Sequence, residues 1–489
     1  MTPILPCARL EIVKRYPSKR ARWKKDQDNE RGRIAIRYRA YPTPEQHQQV
    51  VCIAGSCRVV KNLAKEQRDL AHRLGVRSPS YTRQSADLKE LRDDPKLAPW
   101  LAEAPSQILQ QAIRDTNTAY QRFFSGLSRY PTWAKKGSRA SFRDPQDVKF
   151  RRLSRRWGEV KIQGVGWIRV KVHRPLVGSR IASATVVVEP DGKMFISLLC
   201  ERHKRQPTKP LAEENTIVGI DRGVAVAIAT SDEELINREN WTPKEKERLR
   251  RLEQARERKK AARKSENTKE KEKGTKEKEK GALSRRKSKK QEKTELAIAV
   301  LYGRARRRRN DFVEQESCDL AKNHRLSIFE DLHLSAMTRS AKGTVNNPGK
   351  RVAQKAGLNR SMLDKGLGAI LSRTQDKVIG HGHAISCVPA PGTSITCPEC
   401  GHVDPANRAS RSVFICVACG YKAHADINAA IIIRERGIKL ALAGGTPVAA
   451  LRGNNSGPDL SGAEPEHWGR RGSGNQETGC ITVREVALL

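Results

Sequence analysis

Apolar and polar residues alternate through RIAIRYRA (Arg33–Ala40), and that period of two predicts a half-buried strand. The pattern then lengthens. Thr43 as N-cap, Pro44 at the first helical position and Gln46 closing a capping box predict a helix start, and Val50, Ile53, Val60, Leu63 and Leu70 continue it. Further helix is predicted over Ser106–Phe124, and the polar segment SRYPTWAKKGSRASFRDP is expected to end the helical block as turns. EVKIQ, WIRVKVH, ASATVVVE and MFISLLCE are short runs rich in β-branched residues, separated by Gly, Pro and PDGK turns; they predict an antiparallel β-barrel. The first strand is expected to join that barrel, which makes the helical block an insertion into it.

Beyond this half, Asn215–Asp232 reads as a hairpin whose first strand ends at Asp221. A charged stretch follows, with NTKEKEKGTKEKEKG at its centre, where Gly-punctuated charge predicts solvated or disordered chain. Helix resumes at TELAIAVLYGRARRRRNDFVEQESCDLAKNH, and RLSIFEDLHL reads as a buried strand ending in Glu330 and Asp331. A further helical stretch, two close cysteine pairs and a helix over ADINAAIIIRERG complete the ordered part. The expected organisation is a basic arm over 1–32, a barrel over 33–40 and 145–205, and a helical domain over 41–144. An α/β domain then spans 206–395 with its charged insert at 244–290, a metal ribbon 396–420, the last part of the α/β domain 421–440, and a flexible tail 441–489. The fold class is α+β and multidomain.

Charge narrows the partners. The 489 residues carry 95 Lys and Arg against 54 Asp and Glu, a net charge of +41. Charge of that size opposes compaction unless a polyanion neutralises it. The cations are spread over the first half and the middle of the chain, which fits an extended nucleic-acid surface better than a short membrane-binding patch. No stretch approaches the ~18 apolar residues of a membrane span, and the first twenty residues lack an apolar segment of signal-peptide length. The expectation is an intracellular, cytoplasmic protein. Of 11 cysteines, seven stand singly, so a disulfide framework is not expected.

The other four cysteines carry chemistry. Cys397, Cys400, Cys416 and Cys419 have the form C-x2-C-x15-C-x2-C, two tight turns that supply four thiolates for one tetrahedral, structural Zn²⁺. Gly401 and Gly420 follow each pair, where the turn calls for positive φ. His402 and His424 are possible substitutes as ligands, and neither is needed. Asp426 follows the last cysteine by seven residues. Taken singly, Asp221, Glu330 and Asp426 read as strand-end or helix-capping acids. Taken together, two strand-end carboxylates and one at a helix start form an oxygen-rich set suited to two hard divalent cations over a phosphodiester. Arg408 and Arg411, between the cysteine pairs, read equally as phosphate contacts or as solvated loop residues.

VGIDRGVAVAIATSD, FEDLHLSAM and CPECG…FICVACGYKAHADINAA, in that order, resemble the three split RuvC motifs and zinc ribbon of TnpB, an RNA-guided nuclease, and of the type V CRISPR effectors. YRAYPTPEQ, YPTWAKKGSRASFRD, WIRVKVHRPLVG and KAGLNRSMLDKGLGAILSRTQDKV extend the resemblance over roughly residues 33–435. It implies an RNase H-like (RuvC) nuclease domain with an inserted zinc ribbon, catalytic and magnesium-binding roles for Asp221, Glu330 and Asp426, and an N-terminal wedge-type barrel and helical domain holding a guide RNA paired to target DNA. The function it implies is Mg²⁺-dependent cleavage beside a short protein-read motif. Chain length favours a compact CRISPR effector over a transposon-encoded protein. The alternatives are an RNA-guided binder that silences without cutting and an RNase H-fold transposase. The lysine-rich insert is either a nucleic-acid-binding element or a spacer, with the spacer favoured.

Overall fold

The structure is a computed structural model; it describes residues 31–442 apart from 95, 137–138, 177–179, 204–216, 273–287, 345 and 382. The N-terminal arm, nearly all of the tail and the centre of the lysine-rich insert lie outside the described residues.

The first half is built on seven antiparallel strands: β1 (Arg31–Tyr41), β2 (Ala140–Asp144), β3 (Lys149–Arg152), β4 (Trp157–Ile162), β5 (Gly166–Lys171), β6 (Arg180–Val188) and β7 (Met194–His203). Their order is β2-β6-β7-β1-β5-β4-β3. The chain leaves β1 into α1 (Pro44–Arg73), α2 (Tyr81–Asp93) and α3 (Ser106–Phe124) before returning to the sheet, as an insertion. Thr43 caps α1 as expected: Gln46 N–H donates to Thr43 Oγ1 (3.3 Å), and the Gln46 side chain accepts from Thr43 N–H (3.1 Å). Ile36, Val170 and Ile196 from the sheet and Ile53, Leu109 and Ile113 from the helices belong to one continuous core.

Two expectations need revising here. The segment ASFRD, expected to be a turn in the helical block, is strand β2 and pairs with β6 along its whole length. Its inward positions are Phe142 and Asp144, and the carboxylate at the second one hides the apolar alternation. The strands also hydrogen-bond in a linear order with β2 and β3 at the edges, not as a closed ring. The sheet is nonetheless rolled: Asp144, at the end of β2, accepts from Gln163 N–H in the β4–β5 turn (2.9 Å).

The second half centres on five strands: β8 (Ile217–Asp221), β9 (Ile228–Thr230), β10 (Leu235–Ile236), β11 (Leu326–Asp331) and β12 (Ala384–Pro389), in the order β10-β9-β8-β11-β12. β8, β11 and β12 run parallel, and β9 and β10 antiparallel. The longer helices are α4 (Pro243–Glu272), α5 (Lys289–Asn323), α6 (Val352–Lys365), α7 (Leu367–His381) and α8 (Ala425–Leu442). Phe312 and Val313 of α5 and Ile370 and Val378 of α7 pack with Val218, Ile220 and Phe329. Ile433 of α8 packs with Ile328 and Val388 on a separate patch of the same sheet. Strands covered in this way read as short apolar runs, and β12 (AISCVP) escaped the sequence pattern for that reason. The ribbon adds β13 (Val413–Ile415) and β14 (Lys422–His424), an antiparallel pair that leads directly into α8.

The two halves meet at the β6–β7 turn. Glu189 pairs with both Arg37 of β1 and Arg306 of α5, and Asp191 accepts from Arg307 (2.7 Å).

Candidate active site and metal ribbon

Parallel pairing of β8 and β11 brings their C-terminal ends to the same edge of the sheet, and this puts Asp221 and Glu330 beside each other. Ligand sites of open α/β sheets lie at this edge. Helix α8 starts at the same edge and runs back across β8. The crossing is close because position 219 is glycine: a Cβ there would stand 2.0 Å from Ala430 O and 2.6 Å from Arg434 N. Gly437 makes the same accommodation farther along, against the Ile328 side chain. Asp426, in the first turn of α8, is thereby held over the strand ends.

Asp221, Glu330 and Asp426 line one cleft of about 330 Å³ together with Arg408 and Arg411. Its remaining wall includes small residues, Gly223, Ala225 and Ala429, which leave the carboxylates open to the space. The Asp221 carboxyl is pushed up to about 7, first by burial and then by the charges of Glu330 and Asp426; the backbone N–H of Arg222 and the charge of Arg408 oppose the shift. Glu330 is 9% exposed, and its Oε1 accepts from Thr393 Oγ1 (2.9 Å). Arg408 Nη2 lies 3.5 Å from Asp426 Oδ1 and donates to Arg411 O (3.1 Å). Asp331 is exposed and does not line the cleft.

Oxygen-only donors, crowded enough that one of them holds its proton near neutrality, fit hard divalent cations such as Mg²⁺. These carboxylates stand wider apart than the thiolates of the ribbon. Among the described residues, only Cys397, Cys400, Cys416 and Cys419 form a group of potential metal-ligand side chains whose ligand atoms all lie within 4.8 Å of one another.

The four cysteines fit zinc. Sγ to Sγ is 3.6 Å for Cys397–Cys419 and 3.6 Å for Cys400–Cys416. A tetrahedron with Zn–S bonds of about 2.3 Å has edges close to 3.8 Å. Gly401 (φ +71°) and Gly420 (φ +77°) close the two turns, donating to Cys397 O (3.0 Å) and Cys416 O (2.9 Å). His402 and His424 stay outside the cluster. His424 Nδ1 instead accepts from Asp426 N–H (3.3 Å).

The ribbon is fastened to the acid cleft by residues the sequence did not single out. Asn428 of α8 donates to Thr396 O (3.0 Å), Ala425 N–H donates to Ser412 O (2.9 Å), and the fully buried Asn407 donates to Ile395 O (2.9 Å) while accepting from Val417 N–H (2.9 Å). Arg222 was missed as well. Buried beneath the cleft, it donates to Glu330 O (2.6 Å) and Leu367 O (3.0 Å), and its guanidinium lies 5.3 Å from the centre of the Phe329 ring. The only sequence signal for it was a cation between Asp221 and Gly223, which does not tell a buried arginine from a solvated one.

The chain has relatives among known proteins over most of its length. Residues 368–433, from α7 through the ribbon into α8, match the family described as "Cas12f1-like, TNB domain". Residues 33–75 match one described as "Helix-turn-helix domain", although here they form a strand and a single long helix. The chain is 31% identical over 396 residues to the "Putative RNA-guided DNA endonuclease InsQ" of Escherichia coli (strain K12), covering 81% of this chain and 90% of that one. It is 27% identical over 417 residues to a "Putative RNA-guided DNA endonuclease" of Streptomyces pristinaespiralis, covering 84% and 90%. A solved Cas12f1-sgRNA-target DNA complex aligns over 83% of this chain and 99% of that chain at 12% identity, with a TM-score of 0.39.

Proposed function

We propose that this chain, which belongs to the family of TnpB and the compact type V CRISPR effectors, is an RNA-guided DNA endonuclease that cuts DNA paired to a guide RNA. One observation carries the proposal: three acids from segments far apart in sequence, Asp221, Glu330 and Asp426, line a single cleft at the C-terminal edge of a parallel sheet. The sheet order, three parallel strands with an antiparallel hairpin at one edge, supports the RNase H-like (RuvC) assignment. In this proposal a wedge-type rolled sheet carrying a helical recognition insertion makes up the first half.

Two Mg²⁺ ions held by the three carboxylates would activate water for attack on the scissile phosphorus and offset charge on the leaving 3′ oxygen. The residues of the chain do the rest. Thr393 orients Glu330 through its hydroxyl, and Arg222 locks the ends of β8 and β11 together from below. Arg408 and Arg411 at the rim offer guanidinium groups to the phosphate, and hydrolysis leaves a 5′-phosphate. The zinc ribbon fixes the start of α8 and, through it, Asp426. Sequence choice is delegated to base pairing, and protein contacts read a short flanking motif. The outer face of the first sheet suits an RNA or DNA backbone: Arg169 lies over Trp157 (4.4 Å) and Arg151 over Trp167 (4.3 Å).

The test is to incubate purified protein, co-purified RNA, Mg²⁺ and a matching duplex. Asp221→Ala, Glu330→Ala and Asp426→Ala should each abolish cutting while guide and target binding persist. Wild-type cutting by any of them refutes the assignment. A shifted but uncut duplex with the unsubstituted protein would mean a silencing binder, and joined products a transposase. Chain length favours the compact effector branch, whereas the long alignments are to relatives whose names carry no CRISPR association. A repeat array beside the gene decides for the first, and flanking transposon ends for the second.

A further inference from the structure

A second cleft, of about 600 Å³, lies between α4, α5 and α6 and shares no residue with the acid cleft. That volume is within the ~300–1,000 Å³ of small-ligand sites. Trp241 and Tyr302 meet in it at 90°, ring centres 5.3 Å apart, so the two rings form a corner. The Tyr302 hydroxyl donates to Glu253 (2.9 Å), which fixes that ring. Around the corner stand Arg250, Arg306, Arg309 and Arg360.

Most of the local arginines are already committed. In the run Arg306–Arg309, Arg306 pairs with Glu189, Arg307 with Asp191, Arg308 with Glu245, and Arg309 lies 3.6 Å from Asp364. That run therefore serves mainly to fasten α5 to its neighbours. Glu189 is shared with Arg37, however, which leaves excess positive charge at the mouth of the cleft. Arg360 has no carboxylate partner among the described residues, and Arg250 is paired only with Glu247 on its own helix. Five cations and two acids line the space. Glu189 also joins this wall to Arg37 and so to the outer, basic face of the first sheet.

An aromatic corner ringed by guanidinium groups recognises one thing well: an unpaired nucleotide, its base stacked on a ring and its phosphate on arginine. We propose that the Trp241–Tyr302 cleft holds an unpaired nucleotide of the RNA that the protein carries. Duplex DNA cannot fill it, because a stacked and paired base offers no free face. The target strand is engaged at the other cleft. Naming the strand as RNA rests on the RNA-guided proposal; the existence of the site does not.

The experiment uses the full chain with its co-purified RNA, crosslinked by ultraviolet light, digested and read by mass spectrometry. A nucleotide adduct on Trp241 or Tyr302 is expected. Tyr302→Leu should weaken RNA affinity roughly tenfold. Arg360→Glu, on an exposed helix face, should also weaken it and lower the salt slope by about one or more. Arg360→Glu should leave the melting temperature unchanged, Tyr302→Leu should lower it by no more than about 2–4 °C through its lost contacts to Trp241 and Glu253, and neither should change Mg²⁺ binding. If no RNA co-purifies, the RNA-guided proposal fails, and the cleft is probed with a synthetic single-stranded RNA oligonucleotide instead. Unchanged affinity in folded Tyr302→Leu and Arg360→Glu overturns the site, as does an adduct formed only with added DNA.

Discussion

Gly219 of β8 and Ala430 of α8 lie so close that no side chain fits between them: a Cβ at 219 would stand 2.0 Å from the Ala430 carbonyl oxygen. The helix that carries Asp426 can settle onto the strand that carries Asp221 only because position 219 lacks a side chain.

Gly219→Ala should therefore force α8 off the sheet, costing about 1–3 kcal/mol or more, because backbone and not a flexible side chain must yield. The expected outcome is a lower melting temperature together with lost cleavage. Gly357→Ala in α6, where a Cβ meets nothing within 4 Å, is the control. It should be neutral or stabilising by up to about 1 kcal/mol. Equal effects from the two substitutions would contradict this account of the crossing.

Zinc removal should reach the acid cleft without touching an acid. Cys416→Ser is expected to lose the bound zinc, measured by atomic emission, and to loosen the ribbon that holds the start of α8 through His424, Asn428 and Ala425. Weaker Mg²⁺ binding should follow, read by calorimetry. A variant that lost zinc and kept full Mg²⁺ affinity would uncouple the two sites.

In the proposed site, proton and cation would compete at Asp221. Its carboxyl is raised to about 7, so without cations the folded state holds a proton that the unfolded state has released. The contribution of Asp221 to stability is therefore fully present below the unfolded carboxylate range and is lost as pH rises from there through about 7. For Mg²⁺ binding the direction reverses. Affinity should rise with pH and level off above about 7, with roughly tenfold weaker binding near pH 6 than near pH 8. Arg408 opposes the shift, so Arg408→Ala should move this profile toward higher pH. A flat profile in calorimetry would remove Asp221 from the cation site.

Glu189 holds two arginines from two halves of the molecule. Its side chain is 3% exposed, while those of Arg37 and Arg306 are 39% and 36% exposed. Glu189→Gln leaves both cations without their carboxylate, and because solvent screens them the expected loss is about 1–2 kcal/mol. Hydrogen exchange at the amides of the β6–β7 turn, Glu189 and Gly192, should then be faster. Unchanged exchange there would show that the turn contributes nothing to the docking of the two halves.

Local signals in the chain were enough to determine the elements that carry the chemistry. Period-two alternation marked β1, β-branched runs between turns marked β4 to β7, a capping box marked the start of α1, and cysteine spacing marked the ribbon. Each of these depends on residues a few positions apart. The ladder of β8 beside β11 and the seating of α8 are different, because they pair segments separated by more than a hundred residues. Only tertiary packing could bring Asp221, Glu330 and Asp426 to one edge, bury Arg222 beneath them, turn Thr393 toward Glu330 and expose ASFRD as a strand. Local pattern reports which face of an element is apolar; which other element covers that face is decided by long-range contacts, and the acid cleft exists only where those contacts meet.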